Sequence, residues 1–151
     1  MATVRTTYLG NLRTEAEHLV SGNKIITDAP LDNHGKGEFF SPTDLFAASY
    51  ASCALTIIGI ATQARGFDID GAMVETTKVM GDNPRRIVEL ILDFKFPHDN
   101  YSDKERRLIE GAIKGCPVAN SISPEMKITR MISFIPLATA SPTNPPIHPN
   151  K

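Results

Sequence analysis

Tryptophan is absent from this 151-residue chain, and cysteine is scarce, with two in all. Two thiols do not make the disulfide framework of a small secreted domain. They stand instead as structural thiols, ligands or redox groups in a reducing compartment, so the cytoplasm is the expected location. Neither cysteine belongs to a CxxC pair. The four histidines, His18, His34, His98 and His148, show no ligand spacing with one another or with the cysteines. That argues against a zinc site and places a dithiol reductase last among redox readings. An excess of either charge is also lacking. The formal net charge is −1, and no basic patch is present to attract nucleic acid. The opening MATVRTTYLG has no apolar run behind a charged start, so no secretory signal is expected. Internal repeats are missing too.

One charge-free run that is rich in apolar residues extends from Leu45 to Ala64. It is long enough to span a bilayer. It is also interrupted by Ser49, Ser52, Thr56, Thr62 and Gln63 and is rich in alanine. A helix apolar on nearly all sides is what a buried core helix looks like, and that reading is preferred to a membrane span. The length favours one domain, taken as residues 1–135. The proline-rich tail 136–151 is assigned no regular structure.

What is present reads as follows. SPTD at 41–44 starts a helix: Ser41 caps, Pro42 suits the first helical position, and Asp44 stands where a capping-box acid belongs. The helix is expected to run to about Arg65, to be roughly 35 Å long and to be covered on several sides. SDKE at 102–105 is a second capping box. It opens a helix with an apolar stripe of Leu108, Ile109, Ala112 and Ile113. Cys116 is expected to cap a further short helix starting at Pro117. Val88, Leu90, Leu92, Phe94 and Phe96 alternate with polar residues, as do Met126, Ile128, Ile132 and Phe134, so both runs are strands. The turn GDNP at 81–84 joins the first of these to a strand over 72–79. Weaker strands are expected over 4–8, 12–20 and 24–27. HGKGE at 34–38 reads as a flexible glycine loop rather than a phosphate loop. The order βββ-α-ββ-α-β indicates an α+β fold with a largely antiparallel sheet.

The chemistry centres on the thiols. Cys53 sits about ten residues into the long helix, roughly 15 Å from its start, too far for the helix dipole to lower its pKa. A thiolate there needs a cation from elsewhere in the fold. Cys116 stands at a helix start, where free N–H groups favour a thiolate. Two inert core thiols remain the plain alternative, because free cysteine is among the most buried residue types. Asp44 is explained by capping. Arg130, which interrupts the apolar face of the last strand, is expected to snorkel at its edge.

SPTDLFAASYASCALTII, followed by GCPVANSI with its Asn120, closely resembles the OsmC/Ohr family of osmotically inducible and organic hydroperoxide resistance proteins. The element order matches over residues 1–135, and SGNKIITDAP is similar to the OsmC-like branch. The resemblance implies an intertwined homodimer, with sheet from both chains wrapped around each long buried helix. It implies a thiol peroxidase for organic hydroperoxides or hydrogen peroxide, acting in oxidative-stress defence. Cys53 would attack the peroxide, Cys116 would resolve the product as a disulfide, and a lipoyl or thioredoxin-like dithiol would reduce it. No metal or bound cofactor is implied.

Two departures accompany the likeness. The family's glutamate, ten residues before the first cysteine, falls on Thr43, with Asp44 one residue on. The family's hairpin arginine falls on Val20. Asp44, Glu38, Arg130, His18 and Lys24 are the candidate supports for a Cys53 thiolate. The alternative function is a non-enzymatic dimeric OsmC-like module that binds an apolar small molecule, or a redox sensor.

Overall fold

The computed structural model describes residues 1–136, so all of the tail beyond Pro136 lies outside the described residues. The chain forms two compact units, Met1–Ala48 and the part from Ser49 onward.

The first unit is a three-stranded antiparallel sheet of β1 (Val4–Gly10), β2 (Arg13–His18) and β3 (Lys24–Asp28), in that order. β2 ends at His18, so Val20 lies in the following turn and is exposed. After β3 the chain makes a 3-10 turn, Leu31–Asn33, and comes back along β3. Gly37 N–H donates to Ala29 C=O at 3.2 Å, and Asp28 N–H donates to Phe40 C=O at 3.1 Å. A Cβ at Gly35 would stand 1.7 Å from the Ala29 carbonyl oxygen. Glycine is therefore demanded by close approach of backbone. The segment expected to be a flexible glycine loop is instead pinned to the strand it follows.

The long helix α1 (Pro42–Gln63) begins in the first unit and continues into the second. Its start is the expected capping box. Asp44 N–H donates to Ser41 Oγ at 3.1 Å, and Ser41 N–H donates to Asp44 Oδ2 at 2.9 Å. Its buried residues are Ala47, Tyr50, Ala54, Ile58 and Thr62, a single stripe at helical spacing. Phe46 and Ile60 are exposed. Cover on several sides was expected, and within one chain only one face has it.

The second unit holds β4 (Met73–Gly81), β5 (Arg86–Phe96), α2 (Asp103–Ala112) and β6 (Lys127–Phe134). β5 is central. It pairs antiparallel with β4 and parallel with β6. Alternation fixes which face a residue takes but not strand direction. The direction follows from α2, because a parallel neighbour needs a crossover. Leu90, Leu92, Phe94 and Phe96 are all 0% exposed. Each contributes about 1.5–3 kcal/mol of burial free energy as an upper estimate. Ile109 and Ile113 bring the apolar stripe of α2 into this core. The fold is α+β, with three of its four strand pairings antiparallel, arranged as two three-stranded sheets.

The α2 start is a complete capping box, Ser102 with Glu105. Ser102→Ala is expected to cost about 1 kcal/mol, read as a lower urea midpoint with an unchanged slope.

Candidate functional site

Cys53 lies on α1 one turn beyond Tyr50 and is partly exposed. Cys116 is fully buried, directly after the 3-10 turn Ile113–Gly115. The short helix expected from Pro117 is a 3-10 turn confined to Ala119–Ser121. Cys116 still serves that segment. Its Sγ accepts the Ala119 N–H at 3.3 Å, and its carbonyl accepts the Asn120 N–H at 3.2 Å. Ser121 Oγ donates to the Pro117 carbonyl at 2.8 Å and ties the turn together.

The fold brings the two thiols near enough for Cys53 to act on the Cys116 thiol. Burial pushes the Cys116 thiol above its ordinary range. The hydrogen bond to Cys53 and repulsion from charge on Cys53 push it further, while the Ala119 and Val118 N–H groups act in the opposite direction. Desolvation wins over the N–H groups that alone would favour a thiolate. Cys116 is therefore held protonated. A protonated thiol touching a more accessible one is suited to receive an oxidised sulfur and close a disulfide.

The charged candidates fall into two places. In the first unit, Arg13 opens β2 and pairs with Glu38. Its guanidinium stands 3.6 Å from Asp28 Oδ2 and 5.1 Å from the centre of the Phe39 ring. Asp28 is 1% exposed and also accepts the Glu38 N–H at 3.1 Å. The pinned loop thus delivers Glu38 to Arg13. Val20, the position expected to match the family's hairpin arginine, lies in the turn after β2, and the arginine that the first unit pairs with Glu38 is Arg13. The signal was an arginine next to the Gly10-Asn11 turn, with acids at 28 and 38 to receive it. His18 Nδ1 is 2.7 Å from Ser21 Oγ, Asp44 caps α1, and Lys24 pairs with Glu15 at 3.1 Å.

In the second unit Arg130 does not snorkel. Its Nη2 donates to the hydroxyl of the fully buried Tyr50 at 2.5 Å, and its buried Nε has no hydrogen-bond partner among the described residues. Among the described residues no group of three His, Cys, Asp or Glu side chains gathers as metal ligands do.

The family model for OsmC-like protein matches residues 35–130, which include both cysteines and Glu38. The chain belongs to the OsmC-like protein family. A Psychrobacter arcticus protein named for osmotic stress induction and a detoxification response is 49% identical. That match covers 88% of this chain and 96% of the other, with a TM-score of 0.84. The fold is shared with an organic hydroperoxide resistance protein OsmC from Legionella pneumophila at 17% identity, TM-score 0.68, covering 89% of this chain and 98% of that one. It is shared also with a Vibrio cholerae protein named for organic hydroperoxide resistance, which holds captopril in one of its active sites. There the identity is 18% and the TM-score 0.67, over 87% of this chain and 92% of the other. No curated protein matches the chain. Within this OsmC-like chain the shared fold carries an arginine–glutamate pair in the first unit and a contacting thiol pair in the second.

Exposure and protonation together order the reactivity of the thiols. Iodoacetamide at neutral pH is expected to label Cys53 while Cys116 stays unmodified, read by peptide mass. In Cys53→Ser, labelling of Cys116 is expected to begin only above the ordinary thiol range, because burial still raises its pKa.

Proposed function

We propose that this OsmC-like protein is a cysteine-based peroxidase acting on organic hydroperoxides or hydrogen peroxide in oxidative-stress defence. The contact between Cys53 and Cys116 is the observation that carries this reading. The Cys53 thiolate attacks the terminal peroxide oxygen, the O–O bond breaks, and a proton goes to the departing alkoxide. Cys53 becomes a sulfenic acid and the peroxide an alcohol. Cys116 then gives up its proton as its sulfur attacks the Cys53 sulfur; the S–S bond forms, the S–O bond breaks, and the hydroxyl leaves with that proton as water. An external dithiol, lipoyl or thioredoxin-like, returns both cysteines to thiols and is itself oxidised to a disulfide. Neither a metal nor a bound cofactor enters these steps. A cycle that rests on free thiols suits a reducing compartment, and we assign the chain to the cytoplasm.

Family likeness gives thiolate support to a hairpin arginine paired with a glutamate, and Arg13 with Glu38 answers that description. A guanidinium cannot lose its proton at physiological pH, so its field is constant across the working range.

We further propose that the working form is a homodimer. Val4, Tyr8, Leu9, Leu12 and Ile25 in the first unit are exposed, as are Ile60 and Met131 in the second. β1, β3, β4 and β6 are each at the edge of a three-stranded sheet. Apolar surface beside open strand edges is what a second copy covers.

Peroxide consumption with a dithiol reductant tests the reading. Cys53→Ser is expected to abolish turnover. Cys116→Ser is expected to consume about one equivalent of peroxide and then stop, since the sulfenic acid is left without its resolving thiol. Arg13→Met is expected to lower the second-order rate constant about a hundredfold. Unchanged turnover in Cys53→Ser would overturn the mechanism. Light scattering is expected to give twice the chain mass.

A further inference from the structure

A second feature of the Ser49-onward unit is not used by the thiol chemistry. An open groove of about 650 Å³ runs between α2 with its following turn and the end of β6, lined by Arg107, Glu110, Gly111, Ile113, Lys114, Arg130 and Ile132. Three cations face one carboxylate there, an excess of two positive charges. Neither Arg107 nor Lys114 takes part in an ion pair among the described residues, and Arg130 has no carboxylate partner there either.

Cations near a helix C-terminus are ordinary, because the macrodipole favours them. Two observations go beyond that. Arg130 Nε is a buried donor with no acceptor. A buried unsatisfied donor is costly, and none of the described residues supplies its acceptor. Gly111 stands in the last turn of α2, between Arg107 and Lys114 along the groove. A Cβ placed there meets no atom within 4 Å. The missing side chain is therefore not required by packing, and its effect is to leave the groove open.

We infer that this groove binds a small amphipathic oxyanion, with a carboxylate or phosphate on the three cations and an apolar tail along Ile113 and Ile132. A planar guanidinium suits two oxygens of one oxyanion. The groove volume is in the range of small-molecule sites. Ile113 is buried at the floor, while Ile132 leaves part of its surface to be covered. The proposal stands independently of the peroxidase reading, since no lining residue is a thiol and binding is measured without peroxide.

Titration calorimetry on the full reduced chain with octanoate, octyl phosphate and octanol tests it. At least one of the two anions is expected to saturate at one per chain, with octanol giving no saturable heat. Whichever anion binds more tightly identifies the headgroup. Arg130→Met is expected to weaken that anion about tenfold or more. Gly111→Leu, which fills the groove while improving helix propensity, is expected to abolish binding and to raise the melting temperature. Absence of saturation by both anions overturns the proposal. So does octanol binding as well as the anions, or anion binding unchanged in Gly111→Leu. The glycine variant keeps the test decisive if Arg130→Met does not fold.

Discussion

The contact between the Cys53 and Cys116 side chains is the constraint on which the rest depends. Two residues separated by most of the second unit meet because each is held by a different local device. Cys53 is carried on a helix whose start is locked by Ser41 and Asp44 and whose buried stripe runs from Ala47 to Thr62. Cys116 is held in a tight turn whose Ala119 N–H is satisfied by the sulfur itself. One thiol is open to solvent and one is sealed, and burial keeps the sealed one protonated. That asymmetry supports the proposed division between an attacking and a resolving cysteine.

Charge is arranged with similar economy. Arg13 is held between Glu38 and the buried Asp28, and the loop that brings Glu38 there is fastened to β3 by backbone hydrogen bonds. Such a cluster is over-determined. Asp28 accepts a backbone donor as well as facing the guanidinium, so the arginine head is kept in place by more than one contact. Surface ion pairs are worth little on their own. A partly buried one with a shared acid and an aromatic face holds its guanidinium more firmly. Arg130 is the opposite case. It is bonded inward to the buried Tyr50, and its Nε has no hydrogen-bond partner among the described residues.

Much of this was legible in the sequence, and the reasons are local. Ser41 with Asp44 and Ser102 with Glu105 place both helix starts, because capping chemistry is set within four residues. Period-2 alternation places β5 and β6. The parallel pairing of β5 with β6 was not legible from alternation, which has no direction. The cysteine pair was visible through family likeness, whereas their contact depends on tertiary folding. Arg13 was missed because the hairpin was aligned by spacing to Val20, and its partners Asp28 and Glu38 are distant in sequence. The loop at 34–38 was misread for a related reason: its glycine is required by the close Ala29 carbonyl, a long-range fact that composition does not carry. The many-sided cover expected for α1 was inferred from its apolar circumference. A single chain buries only one stripe of it, leaving Phe46 and Ile60 exposed.

The most direct test of the central claim is the intact mass and peptide map of the reduced protein after one equivalent of cumene hydroperoxide, without added thiol. The predicted result is the loss of two hydrogens and a single linked peptide joining Cys53 to Cys116. Oxygen retained on Cys53 with Cys116 still a free thiol, or no change in mass, would contradict it.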